Sequence, residues 1–98
     1  MNTQIPQFYD NKDLIYDEIW NLLSRGVVDR GEDFRLPTVI LNDGKLSDGR
    51  VVVLRGAFKD INTIRFHTDY RSDKIRILKN NNNIYFVFYN KKRKIQVR

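Results

Sequence analysis

Residues 50–58 read Arg-Val-Val-Val-Leu-Arg-Gly-Ala-Phe, and this run decides the predicted fold. Valine, leucine and phenylalanine fit a pleated, packed surface, and an unbroken apolar run is typical of a strand buried on both faces. Because side chains alternate across a strand, Arg50 and Arg55 are predicted on opposite faces. The run therefore predicts one long strand that carries a cation on each side.

Shorter strand signals lie on both sides of this run. Before it, Asn42-Asp-Gly44 is a turn that follows a β-branched segment. After it, the chain turns at Lys59 and Asp60 into a strand on which apolar and polar residues alternate. Two segments near the end of the chain form a hairpin. These four strands are predicted at Thr38–Leu41, Thr63–Thr68, Ile84–Tyr89 and Ile95–Val97.

Two helices are predicted outside the strands. Asp10–Ser24 repeats apolar residues near a 3.6 period and carries acidic residues toward its start, where the helix dipole favours them. Gly26 is interpreted as the C-terminal stop of this helix, followed by a loop over Val27–Arg35. Ser72–Leu78 is predicted as a short helix between strands three and four. The order predicts a mainly β (α+β) fold, an antiparallel meander or partial barrel.

Composition limits the chain to one domain and a narrow set of protein classes. With 98 residues, 41% of them hydrophobic and 31% charged, residues 1–98 are predicted to form a single domain in which residues 1–9 are flexible. The sequence has no cysteine, which excludes disulfides and thiolate metal sites and fits a cytoplasmic location. No segment approaches the ~20 apolar residues of a membrane-spanning helix, and the first residues do not form a secretory signal.

The two halves of the chain carry opposite net charge. Residues 1–49 contain five Lys or Arg against nine Asp or Glu, whereas residues 50–98 contain thirteen against three. The second half therefore attracts anions, either a cofactor phosphate or a nucleic-acid backbone. Charge alone does not choose between these two ligands.

Three motifs in the second half occur in an order and spacing that resemble a known family. They are Arg50-Val-Val-Val-Leu-Arg55, His67-Thr-Asp-Tyr-Arg-Ser-Asp-Lys74 and Gln96-Val-Arg98. Together they resemble the pyridoxamine 5'-phosphate oxidase-like family of FMN-binding split barrels, from about Ile19 to the last residue. The resemblance implies a partial antiparallel split β-barrel with an N-terminal helix. Because family members usually continue beyond the Gln-Val-Arg motif, it also implies a chain truncated at its C-terminus.

The resemblance implies a set of FMN-binding residues. It assigns the phosphate to Arg50, Arg71, Ser72 and Lys74. It assigns the flavin ring and its sugar-alcohol chain to Val51, Val52, Val53, Thr68 and Gln96. His67 is expected to contact the flavin without acting as a base, and Arg55 stands where pyridoxamine 5'-phosphate oxidases have a lysine for the substrate phosphate. No catalytic acid or base and no metal ligand is assigned.

Each of these residues also has a plainer interpretation. Arg50 and Arg55 are then solvated strand ends, Ser72 is an ordinary helix N-cap, and Gln96 simply alternates outward to solvent. Asp73 departs from relatives that carry arginine at that position, and the resemblance implies that Arg71 replaces the missing charge. The substitution of Arg55 for lysine argues against pyridoxine-type substrates.

The resemblance implies an FMN-dependent oxidoreductase in which the flavin accepts a hydride and passes electrons to oxygen or another acceptor. It also implies a homodimer with the cofactor at the subunit interface. One alternative is a truncated family member without competent cofactor binding. The other is a small basic β module that binds RNA or single-stranded DNA through the run Lys91–Lys94 and nearby aromatic residues. Nucleic acid is the less favoured partner, because such a run is usually a soluble hairpin tip. The nearby aromatic residues are Tyr85, Phe86, Phe88 and Tyr89.

Overall fold

The computed structural model describes residues 11–42, 44–45, 47–67 and 83–98. Within them the chain forms one α-helix, six β-strands and two short 3-10 turns at Asp33–Arg35 and Lys59–Ile61. Helix α1 spans Lys12–Val28, and the strands are β1 Thr38–Asn42, β2 Ser47–Val51, β3 Leu54–Phe58, β4 Thr63–Phe66, β5 Ile84–Asn90 and β6 Ile95–Val97. The predicted helix at Ser72–Leu78 and the predicted flexible residues 1–9 lie outside the described residues.

The strands form two antiparallel sheets. Four of them pair in the order β2-β1-β5-β6, and β3 pairs with β4 in a separate two-stranded ribbon. Strand β1 is central because it pairs with β2 on one side and β5 on the other, so Val39 lies opposite both Arg50 and Phe86. The predicted hairpin at the end of the chain is the β5–β6 pair. The mainly β fold class is confirmed, as a partial barrel that is not closed in the described residues.

Helix α1 is longer than the sequence predicted, and the assignment of Gly26 as its stop was wrong. The helix starts at Asn11, whose side-chain Oδ1 accepts hydrogen bonds from the backbone N–H groups of Asp13 and Leu14 at 3.0 and 3.1 Å. It then continues through Gly26 to Val28. A Cβ at Gly26 would lie 2.8 Å from the backbone carbon of Phe34. The glycine therefore permits a close approach between helix and backbone.

The long strand predicted over residues 50–58 is in fact two strands. Strand β2 ends at Val51 and β3 begins at Leu54, and Val52 between them donates its N–H to the carbonyl of Pro37 at 3.0 Å. The prediction that both faces are buried was also wrong, because Val51 is 62% exposed. A register shift between Leu54 and Gly56 then interrupts the pairing of β3 with β4. Each half of the run thus pairs with a different neighbour.

The core lies on one side of the four-stranded sheet, which we call the inner face. Val39, Leu41, Phe86, Phe88 and Ile95 carry this face. Helix α1 and the 3-10 turn at Asp33–Arg35, which replaces part of the loop predicted over residues 27–35, cover the part of this face around Phe88 and Ile95. The residues that pack against it from these segments and from β3 are Trp20, Leu22, Leu23, Phe34 and Leu54. Val39 and Leu41 pack instead with Val52 and Phe66.

Candidate functional site

The opposite side of the four-stranded sheet, which we call the outer face, is exposed and largely apolar. Three of its side chains, Val51, Tyr85 and Tyr89, are 62%, 65% and 52% exposed. The register places Val51 and Val87 on either side of Thr38, and Tyr89 opposite Gln96. Because side chains alternate, the same face carries members of all four strands. The outer face comprises Thr38, Ile40, Asn42, Ser47, Gly49, Val51, Tyr85, Val87, Tyr89 and Gln96.

The geometry of the outer face suits a flat partner. Four neighbouring strands span roughly 14 Å in the hydrogen-bonding direction, at about 4.8 Å per strand. Apolar and tyrosine side chains provide a planar wall over that distance, and the Gln96 amide adds a donor and an acceptor at one end. An exposed apolar surface of this kind marks a ligand site or an interface with another chain.

Arg50 lies on the other side of β2 from Val51. It stands opposite Val39 on the inner face, and its guanidinium forms a close ion pair with the Asp48 carboxylate on the same strand. Their side chains remain 38% and 30% exposed, because β2 is an edge strand in the described part of the sheet. A ligand that contacts both Arg50 and Val51 must therefore cross the edge of β2.

The remaining residues of the Arg50–Arg55 motif separate into buried and exposed positions. Val52 is 7% exposed and packs with Val39 and Leu41. Val53 is half-buried and lies between the β1–β2 and β3–β4 pairings. Arg55 is the extra residue of the bulge in β3, and its side chain is exposed. Bulges of this type redirect a side chain, so Arg55 is directed to solvent.

The other predicted site residues are divided between the outer face and undescribed parts of the chain. Gln96 lies on the outer face, as Val51 does. His67 is exposed directly after β4. The predicted phosphate residues of the second motif, together with the ring contact Thr68, lie outside the described residues: Thr68, Arg71, Ser72 and Lys74.

Two residues of the basic run Lys91–Lys94 contact acidic residues in α1 and in the 3-10 turn after it. Arg93 forms an ion pair with Glu18 at 3.2 Å, and the Lys91 backbone N–H donates to the Asp33 carboxylate at 3.0 Å. The aromatic residues of β5 are divided as well, because Phe86 and Phe88 lie on the inner face while Tyr85 and Tyr89 lie on the outer face. The four aromatic residues of β5 therefore do not lie on one surface, and Arg93 of the basic run pairs with Glu18.

A partly buried polar cluster, which we call the polar junction, attaches the β5–β6 hairpin to the helix side. The Asn90 side chain donates to Glu32 Oε1 at 2.6 Å and accepts from the Arg93 backbone N–H at 2.7 Å. Arg25 lies 3.9 Å from Glu32 and 3.8 Å from Glu18. Two clefts of about 440 and 430 Å³ border this cluster. The two arginines and the two glutamates of the polar junction, Arg25, Arg93, Glu18 and Glu32, balance one another in charge.

Sequence reasoning missed the partner of Arg50 and the polar junction. Residues two apart on a strand share a face, so the sequence Asp48-Gly-Arg50 contained the signal for the ion pair. The contacts of Asn90 with Glu32 join residues far apart in the chain. No local pattern indicates them.

The described residues contain neither a candidate metal site nor a candidate membrane-spanning helix. No group of three or more His, Cys, Asp or Glu side chains is placed to hold a metal ion in this part of the chain. None of the helices found there is long and apolar enough to cross a membrane.

Comparison with known proteins identifies one family. The family model described as "Pyridoxamine 5'-phosphate oxidase, FMN-binding domain" matches residues 20–98, which include β1 to β6 and most of α1. No curated protein matches the chain.

Proposed function

We propose that this chain, which belongs to the pyridoxamine 5'-phosphate oxidase FMN-binding domain family, is a flavoprotein that binds FMN at the outer face and the adjoining edge of β2. One observation carries the proposal. Val51 and Gln96, from two separate family motifs, lie on the same exposed face, and Arg50 adjoins Val51 on an open edge.

The residues present fit the two ends of FMN. The isoalloxazine ring needs a flat, mostly apolar wall with hydrogen-bonding groups along its edge, and the phosphate needs cations and N–H donors. Val51, the Val53 peptide and Gln96 supply the first environment, and Arg50 supplies a cation for the second. The proposed site residues that have no described geometry are Thr68, Arg71, Ser72 and Lys74. Val52 supports the wall from the core side.

The protein residues bind and orient the cofactor, while the flavin supplies the redox chemistry. When bound, FMN accepts a hydride from a substrate and transfers electrons to oxygen or another acceptor. The apolar side chains of the outer face exclude water from the ring, and the Gln96 amide fixes the orientation of its edge. We assign no catalytic acid or base, and we expect the protein in the cytoplasm.

We further propose that two copies of the chain form a homodimer through the outer face. Val51, Tyr85 and Tyr89 are each more than half exposed, and a second copy would cover these side chains together with the flavin. A domain of this size also gains stability by association, because it buries a smaller fraction of its surface alone than a larger domain does. His67 and Arg55 are exposed, and we propose that they serve the flavin or an anionic substrate.

Titration of FMN and riboflavin tests the cofactor proposal. Arg50→Ala is expected to weaken the binding of FMN on the order of tenfold, because a charge-assisted hydrogen bond contributes ~1.5–3 kcal/mol. Riboflavin lacks the phosphate, so its dissociation constant is expected to stay unchanged. Flavin fluorescence provides both constants. Arg30→Ala is the matched control, since Arg30 is an exposed arginine on the turn after α1. Equal losses for FMN and riboflavin would contradict the phosphate role of Arg50.

Light scattering over a concentration range tests the dimer. Val51→Lys places a charge on the outer face, within the proposed interface. We expect it to produce monomers and to weaken the binding of both flavins. Val28→Lys is the control, because Val28 is 80% exposed at the end of α1, away from the sheet. A wild-type protein that stays monomeric at micromolar concentration would overturn the interface.

A further inference from the structure

Asp48 holds the cation that the proposed site needs for a phosphate. Its carboxylate pairs with the Arg50 guanidinium, and the two residues are neighbours on one face of the edge strand β2. Both side chains are roughly two-thirds buried, with 30% and 38% exposed. Solvent therefore screens this pair less than a fully exposed one. The net charge of the Asp48–Arg50 pair is therefore zero in the ligand-free protein.

We infer that Asp48 is a specificity-determining residue that competes with the cofactor phosphate for Arg50. The inference rests on the proposed function, since it concerns the same FMN site. We therefore expect the ratio of FMN affinity to riboflavin affinity to be smaller in the wild-type protein than in a protein in which Arg50 has no carboxylate partner. Removal of the Asp48 charge is expected to strengthen binding of the phosphate-bearing flavin selectively.

Two physical effects point to competition. A phosphate near Arg50 lies within a few ångströms of the Asp48 carboxylate, and like charges at that separation repel strongly in a partly buried site. Asp48 also accepts from the terminal Nη2 of Arg50. That nitrogen is part of the fork through which arginine binds phosphate in a bidentate manner.

Asp48 also orients the Arg50 side chain, and this effect favours phosphate binding. A carboxylate that holds the guanidinium in place reduces the entropy lost on ligand binding, but this gain is small for a preorganised planar group. Occupation of the Arg50 Nη2 donor by Asp48, added to the repulsion between the carboxylate and the phosphate, is the larger effect. We therefore expect a net increase in FMN affinity when Asp48 loses its charge.

The test compares five proteins by FMN and riboflavin fluorescence titration: wild type, Asp48→Asn, Arg50→Ala, the double variant and Asp60→Asn. Asp48→Asn keeps the shape of the side chain. We expect it to lower the dissociation constant of FMN on the order of tenfold and to leave that of riboflavin unchanged. The same substitution in the Arg50→Ala background should give a much smaller gain. Asp60→Asn is the charge control, because Asp60 is exposed on the turn after β3 and has no ion pair within the described residues. The inference fails if Asp48→Asn weakens FMN, or if its gain is the same without Arg50.

A second readout separates this inference from the proposed function. The Arg50 Nε–H resonance is followed by NMR during titration with inorganic phosphate. A tighter phosphate response in Asp48→Asn, in a protein that binds no flavin, would support the inference and refute the proposed function. An unchanged phosphate response, in a protein that binds FMN, would refute the inference alone.

Discussion

Phe88 and Tyr89 are neighbours in β5, yet they belong to different environments. Phe88 is 4% exposed on the inner face and contacts the Phe34 ring at a centroid distance of 5.1 Å, whereas Tyr89 is 52% exposed on the outer face opposite Gln96. The two faces of one sheet therefore have different roles. The inner face stabilises the fold, and the outer face is available for binding.

The largest expected difference between the two faces comes from matched alanine substitutions in β5. Phe88→Ala should reduce the free energy of unfolding by about 3–5 kcal/mol, because it removes a buried ring and leaves a cavity. Tyr89→Ala should change it by less than about 0.5 kcal/mol in the monomer. Urea denaturation at low protein concentration measures both. Equal losses would show that the outer face is part of the core.

The packing of the helix on the inner face can be tested at Gly26. Gly26→Ala should destabilise the fold by about 1–3 kcal/mol, because the added Cβ meets the Phe34 backbone and the helix must shift. This loss is expected to exceed the ~1 kcal/mol that alanine gains over glycine inside a helix. Gly31→Ala is the control, since its Cβ meets only the Asp29 side chain, at 3.4 Å. Thermal denaturation compares them, and a stabilised Gly26→Ala protein would contradict the close contact.

The polar junction borders the inner face, and its contribution should be smaller than that of Phe88. Asn90→Ala leaves the nearly buried Glu32 carboxylate without its amide donor, which should cost about 1–3 kcal/mol. Asn21→Ala, at an exposed position of α1, should be neutral or slightly stabilising. Chemical denaturation of both proteins checks this. An Asn90→Ala protein as stable as wild type would show that water replaces the lost donor.

The smallest expected effect lies outside both faces of the sheet, at Lys59. Its Nζ donates to the Asp17 carboxylate at 2.8 Å, and this hydrogen bond raises the pKa of Lys59 above its ordinary value. A raised pKa stabilises the folded state below the ordinary lysine pKa, and this stabilisation disappears as pH rises through the raised value. Lys59→Met should therefore be slightly less stable than wild type at neutral pH and equally stable in strong alkali. Melting curves at both pH values test this sign.

The parts of the fold that depend on local pattern could be predicted from the sequence. The alternation in β4 and the apolar run of β5 identified these strands, and the turn signals identified the β5–β6 hairpin. The end of α1 could not be predicted, because glycine usually terminates a helix and only the approach of Phe34 explains Gly26. The break after Val51 could not be predicted either, because an uninterrupted apolar run contains no signal for the residue at which the pairing strand changes.

The candidate site was accessible from the sequence only in part. Alternation correctly separates Arg50 from Val51, and the family motifs selected both residues and Gln96. Their common sheet could not be derived from spacing, because it depends on the pairing of β1 with β5 across the two halves of the chain. The engagement of Arg50 by Asp48 required the geometry of β2.

The central position of β1 has a consequence for the rate at which the chain folds. The β1–β2 pairing and the contact of α1 with Phe34 join residues close in sequence, so they can form within a short search. The β1–β5 pairing closes a much longer loop and must lose more chain entropy before it gains contacts. We expect β5 to dock late, after a helix and hairpin have formed. Stopped-flow kinetics should then show that Phe88→Ala mainly accelerates unfolding and leaves the folding rate nearly unchanged.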